Sequence, residues 1–421
     1  MQTDRYENTL STDSASAAAA YVEGVDLYLS ANVGAEAAFE AALEIDPAFA
    51  LAYIGLARVH HVFARRDEMR ACLDAASALK TTVSPRETFH IDHMTAVMSG
   101  RGAETFQAGL DFLEVHPRDV LVAQSYLGVF SLIGFSGRDD REALNLMTSS
   151  RLAPFYGEDW WFLSQHAFSL SETGDLTQAE RLIDRALTLN PNNANGVHHR
   201  AHLLYEAGRG DDGSDFLQDW MPGYDPHSLM HNHLSWHLAL WALETQKIDE
   251  MWMIVDQFLD LDTTSGPPIN VMTDMVSLLF RAELEGVKVP SSRWQQVSAY
   301  ASRFFSKPRL PFADAHSAIA HVMAGNTEGF QRIVEHASGP TATLVRTAAN
   351  GFSAMAQQEW GVASQLLGEI VGDHAALGGS RAQRDLIELA WIATMARQDK
   401  REDAIAFYEE RWANRPINWG G

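Results

Sequence analysis

The sequence predicts an all-α chain of antiparallel helix hairpins stacked as repeats, and three observations predict it. A small residue, a bulky one four positions on and a proline twelve positions on recur at Ala35/Phe39/Pro47, Ala179/Ile183/Pro191 and Ala404/Tyr408/Pro416. Gly174 and Gly208, each at the expected turn of a hairpin, stand 34 residues apart. Period-two alternation with hairpin turns, the mark of strands, is nearly absent. In a helix, spacings of three and four set apolar residues on one face. The small residue lets two helix axes approach, and the proline, unable to continue a helix, closes the unit.

Taken in order, residues 1–14 are polar and are expected to fray. Hairpins are expected at 51–65 with 67–79 and at 87–99 with 103–115. The best-defined repeats run over 158–260: a second helix at 176–189, a shorter one at 215–220, then a pair at 229–244 and 248–261. Pro154, Pro222, Pro226, Pro267-Pro268, Pro290, Pro308 and Pro311 mark joints. Register is lost after Pro268 and returns at 341–358, 360–371, 381–397 and 402–413. This pattern resembles the tetratricopeptide repeat. It implies a right-handed α-solenoid over 15–421, one continuous superhelix with a loose seam near 262–270, because each unit needs its neighbours to bury its face.

Composition narrows the partners. Lysine and arginine number 32 against 55 acids, a formal charge of −23 in 421 residues. With no basic stripe, such a surface repels phosphate backbones and anionic membranes, so neither nucleic acid nor membrane is expected as a partner. Hydrophobic residues at 46% suffice for a filled core. The one cysteine, Cys72, excludes an internal disulfide and reads as a small buried residue. No export signal is evident at the N-terminus, and a cytoplasmic location is expected.

The 17 histidines cluster. His198 and His202 share one face of a first helix; His233 and His237 repeat that spacing on the next. Aligned on the turns at Gly174, Gly208 and Gln246, the repeat register aims Asn195, His198, His202 and Glu206 inward. In the following unit the inward set is His233, Trp236, Leu240 and Glu244, and in the preceding one Trp161, Ser164, Phe168 and Glu172. His166 and His237 fall on packing positions and read as core histidines. A concave wall of His198, His202, His233, Trp236, Glu206, Trp161 and Phe168 suits a peptide or a small-molecule ligand. The alternative is an enzyme using these histidines as acid/base groups or metal ligands. No cofactor is expected on the first reading; on the second, a divalent metal such as zinc would sit on His198, His202, His233 and Glu206. No nucleophile motif accompanies Cys72 or any serine, and the glycines at 208–213 and 378–379 lack the strand-to-helix setting of a phosphate loop. Asp314, two residues before His316, reads as a helix cap.

Three blocks carry a further resemblance: His166-Ala167-Phe168 with Glu172-Thr173-Gly174-Asp175, Val197-His198-His199-Arg200-Ala201-His202 with Gly208-Arg209, and residues 233–240. Phe312, Asp314 and His316 form a weaker fourth. The chain resembles the tetratricopeptide repeat protein 38-like family over 158–325. The resemblance implies a helical fold with a histidine-rich inner region and no established activity. Where that family is expected to carry an acid just before Glu206, this chain has Tyr205.

Overall fold

Residues Leu176–Leu189 show how this chain makes a helix. Ala179, Ile183 and Ala186 are buried along one face, Arg181, Asp184 and Arg185 stay exposed, and the Asp175 carboxylate caps the start by accepting from the Gln178 N–H. The chain leaves the helix at Asn190-Pro191.

The computed structural model describes residues 1–398 and 400–411, and 22 α-helices follow one another within them. Three hairpins come first: α1 (Ala15–Leu29) with α2 (Ala35–Ile45), α3 (Ala50–Val62) with α4 (Arg66–Ala78), and α5 (Pro85–Met98) with α6 (Gly102–Val115). A short α7 (Val120–Tyr126) and α8 (Arg141–Tyr156) interrupt the pairing. It resumes with α9 (Trp160–Glu172) and α10 (Leu176–Leu189), α11 (Ala194–Glu206) and α12 (Gly210–Trp220), and α13 (His231–Glu244) and α14 (Ile248–Phe258). It ends with α15 (Pro268–Leu284) and α16 (Ser291–Phe304), α17 (Pro311–Met323) and α18 (Thr327–His336), α19 (Ala342–Ala356) and α20 (Trp360–Ile370), and α21 (Arg381–Ala396) and α22 (Arg401–Arg411). First helices of successive pairs pack on one another, from α9 through α11, α13, α15, α17 and α19 to α21. Trp412 and Pro416 of the third sequence repeat, and the end of the helix expected at 402–413, lie outside the described residues.

The hairpin turns share one conformation. Ala31, Ala64, Gly100, Gly174, Gly208, Gln246, Gly286, Gly325 and Gln358 all have φ between 56° and 93°, the left-handed region. An L-residue there carries roughly 1–2 kcal/mol of strain that glycine escapes. Replacing Gln358 (φ 60°) by glycine relieves it against a larger loss of backbone freedom on folding. The expected result is a gain of about 0.5–1 kcal/mol in denaturant unfolding; a net loss of that size would mean that the turn is not strained.

Several expectations from the sequence change in the structure. Residues 1–14 are pinned rather than frayed. Gln2–Thr3 and Thr9–Leu10 pair antiparallel as β1 and β2, the only strands among the described residues, with Tyr6 and Leu10 buried between elements. Arg5 joins Asp26 and Asp159, each at 2.6 Å, and the Ser11 N–H donates to Glu87 at 2.9 Å. Pro154 lies inside the last turn of α8 rather than at its end. The segment expected as a seam, 262–270, is a largely unburied connection leading from α14 into α15, while one apolar core runs past it from Leu259 to Met272. The core divides instead along α9, with Trp161 and Phe162 in the N-terminal part and Leu170 in the second. Asp314 is not the cap residue of α17, which is Leu310; it sits in the first turn of that helix.

One helix breaks the simple stacking. Besides α19, α21 packs on α11 and α15, several hairpins earlier. The turn that delivers it is Gly378-Gly379, at φ 95° and 82°, where a Cβ on Gly379 would lie 2.4 Å from the Phe312 ring. Arg141 donates to the Gly379 carbonyl, Arg281 to that of Ala382 at 2.6 Å, and Arg384 to Glu142. The Arg381 N–H donates to Glu172 at 2.9 Å, and Tyr205 to Asp385 at 3.0 Å. Burial, with Glu142 nearby, raises the Glu172 carboxyl to about 8 despite the opposing Arg384. Among the described residues no helix is long and apolar enough to cross a membrane.

Candidate metal centre

Helices α11 and α13 are consecutive first helices, and each carries two histidines one turn apart. His198 and His202 on α11 meet His233 and His237 on α13 so that one ring nitrogen from each lies within 4.8 Å of all the others. His198 Nε2 and His202 Nε2 are 2.8 Å apart, and all four side chains are buried. Ring centroids are 4.5 Å apart for His198–His202, 5.1 Å for His233–His237, and 4.7 Å for both His198–His233 and His202–His237.

Burial first, then the facing imidazoles, hold His198, His202 and His237 well below the ordinary histidine range; Arg281 adds to the effect at His237. These rings are neutral at pH 7, each with one lone-pair nitrogen, which is the form that ligates metal. Neither ring nitrogen of His237 has a protein partner, nor does His202 Nδ1. Buried polar atoms left so cost free energy unless something else engages them.

The surroundings fix the rings. From α15, Asp274 Oδ2 accepts the His233 Nδ1–H at 2.8 Å, the outer contact that orients a ligating imidazole. Asn232 donates to the same oxygen at 3.1 Å, and Thr264 donates to Asn232 at 3.2 Å. Burial raises the Asp274 carboxyl, opposed by His233, Gln383 of α21 and Asn232. From α9, the Ser164 carbonyl accepts from His199 Nδ1 at 2.9 Å, while Phe168 stacks on His199 at 4.6 Å and meets His202 edge-on at 5.4 Å. Trp236 stacks on His233 at 5.0 Å. Four successive first helices thus contribute to one centre.

Of the residues singled out in the sequence, His198, His202, His233, Trp236 and Phe168 come together. Trp161 does not join them: it packs in the N-terminal core against Tyr156 and Phe162. Glu206 is not among the clustered ligands; it faces Arg381 of α21 at 3.5 Å. His166 is a packing residue, bonded to Ser149 at 2.9 Å. His237 corrects the sequence reading, which placed it among core histidines. Because α13 is buried almost all round, packing and inward positions are not distinct there, and His237 shares the stripe of His233. Asp274 also went unread. Its signal is a lone carboxylate in the apolar run of α15, where an aspartate is rarely buried without a partner.

Outside the centre, His316 Nδ1 donates to the Phe312 carbonyl at 2.8 Å, and its ring borders a cavity of about 20 Å³ beside Gln383 and Arg384. An open groove of about 780 Å³ lies elsewhere, between the N-terminal segment, α1 and Trp160. No family model matches the chain.

Proposed function

We propose that this chain is a metal-binding helical-repeat protein of the tetratricopeptide type, holding one divalent transition-metal ion on His198, His202, His233 and His237. The observation that carries the reading is four buried imidazoles with their ligand atoms within 4.8 Å, three of them kept neutral by burial. The second ring nitrogen of His233 is held by a buried carboxylate, the outer-shell arrangement that orients metal-ligating histidines. Two i,i+4 pairs from neighbouring repeats make the ion a tie between α11 and α13, so that holding it stabilises the stack. The geometry favours an ion over a peptide as the ligand of this inner face. Trp161, Phe168 and Trp236 are all buried, and α21 packs on α11 and α15.

Metal analysis of the purified protein, reconstituted in turn with zinc, copper, nickel and cobalt after chelation, tests the reading beside the His202→Ala variant. About one ion per chain is expected in the parent and a large loss in the variant. Sub-stoichiometric binding of every ion by a folded parent would discard the proposal.

A further inference from the structure

The four imidazoles are not disposed alike around their common centre, and the difference bears on which ion they hold. An imidazole ligated at 2.0–2.1 Å has its ring centroid roughly 3.2 Å from the ion. Four at the corners of a tetrahedron then have six centroid separations of about 5.2 Å each. Four at the corners of a square have four edges of about 4.5 Å and two diagonals of about 6.4 Å. Here the four edges span 4.5–5.1 Å. The diagonals, His198–His237 and His202–His233, are 5.7 and 6.2 Å. The set lies nearer the square.

The repeat architecture explains the flattening. In a tetrahedron opposite edges are perpendicular, so one pair of ligands must be turned a quarter-turn against the other. His198/His202 and His233/His237 are both one-turn pairs running along their helices. His198 faces His233 and His202 faces His237, each at 4.7 Å, so α11 and α13 lie side by side in parallel register. Two parallel pairs make a rectangle.

Resting on the metal reading above, we infer that the centre is tetragonal, with His198 opposite His237 and His202 opposite His233, and that it suits copper(II) or nickel(II) better than zinc. The donor set agrees. Imidazoles alone suit zinc, copper, iron and nickel, and a tetragonal nitrogen set selects copper(II) or nickel(II) from these. Copper(I) would call for thiolate or thioether, yet Cys72 lies in α4, in the other core. Magnesium, calcium and manganese call for oxygen ligands; the grouped ligand atoms are imidazole nitrogens alone, and Asp274 Oδ2 is taken by His233 and Asn232.

Affinity ranking cannot test this, because copper outranks zinc at almost any nitrogen site; spectroscopy can. Metal-free protein with one equivalent of copper(II) should give an axial electron paramagnetic resonance spectrum with a wide parallel copper splitting and superhyperfine structure from four nitrogens. In His237→Gln that structure should fall to three. Cobalt(II) in the parent should give weak visible bands, which decides the matter even if His237→Gln does not fold. A narrow parallel copper splitting, or the intense visible bands of tetrahedral cobalt(II), would overturn the tetragonal assignment and leave the metal site standing. Failure of the folded parent to bind any of the ions would remove both.

Discussion

Lowering the pH from 7 to about 5.5 is expected to remove on the order of 5 kcal/mol of stability from the metal-free protein, a large share of what a domain normally has. Burial lowers His199 to about 3 and His93, His316 and His321 to about 4, and holds His198, His202 and His237 well below 6.5. Unfolded, each of these seven takes up a proton as the pH falls through about 6.5; folded, it does not. Stability is therefore present above that value and is lost below it, by roughly 1 kcal/mol per imidazole at pH 5.5. Buried carboxyls, Asp274 among them, act oppositely. Glu172, raised to about 8, and Asp314, raised to about 7 mainly by burial, keep protons that the unfolded chain has shed, so acidification favours the fold through them. Together they offset roughly 3–4 kcal/mol. Seven imidazoles outweigh the carboxyls. Denaturant unfolding at pH 7.5, 6.5 and 5.5 reads the slope, and a midpoint flat across that range would mean that these histidines are solvated or charged in the folded protein.

The helices of this chain were legible because their signals are local. The 176–189 helix is read to the residue, since its apolar stripe, its Asp175 cap and its terminal proline are all in the sequence. Trp360–Ile370 and Ile248–Phe258 are read to within one and three residues at their ends. Pro154 marks the end of α8 only approximately, since the helix runs two residues past it to Tyr156 before Gly157 closes it. What could not be read is what depends on distant chain segments. The seating of α21 on α11 and α15 turns Glu172 and Glu206, both at the same repeat position, into partners of Arg381 instead of groove-lining acids. The centre was half legible. Spacing alone placed His198, His202 and His233 on facing helices, whereas His237 was lost to a register that assumes one inward stripe. Asp274, 41 residues from His233, needed the packing of α15 on α13 to be seen.

Metal loading should stabilise the protein by about 4 kcal/mol at free metal a thousandfold above the dissociation constant, because the unfolded chain offers no assembled set of imidazoles. Asp274→Asn should separate the two roles that the carboxylate could play. In the metal-free protein the buried charge is itself disfavoured, as its raised carboxyl shows, and asparagine keeps the shape and an oxygen to accept the His233 Nδ1–H. Metal-free Asp274→Asn is therefore expected to be no less stable than the parent. Once a dication sits on His233, the lost negative charge leaves that imidazole a poorer donor and the ion without the counter-charge behind His233. Affinity should fall 10–100-fold, which removes about 1.4–2.7 kcal/mol of the loading increment. Thermal or denaturant unfolding of both proteins, with and without metal, gives the comparison. Equal destabilisation of the free and loaded forms would make Asp274 a prop for the α13–α15 packing, with no part in tuning the centre.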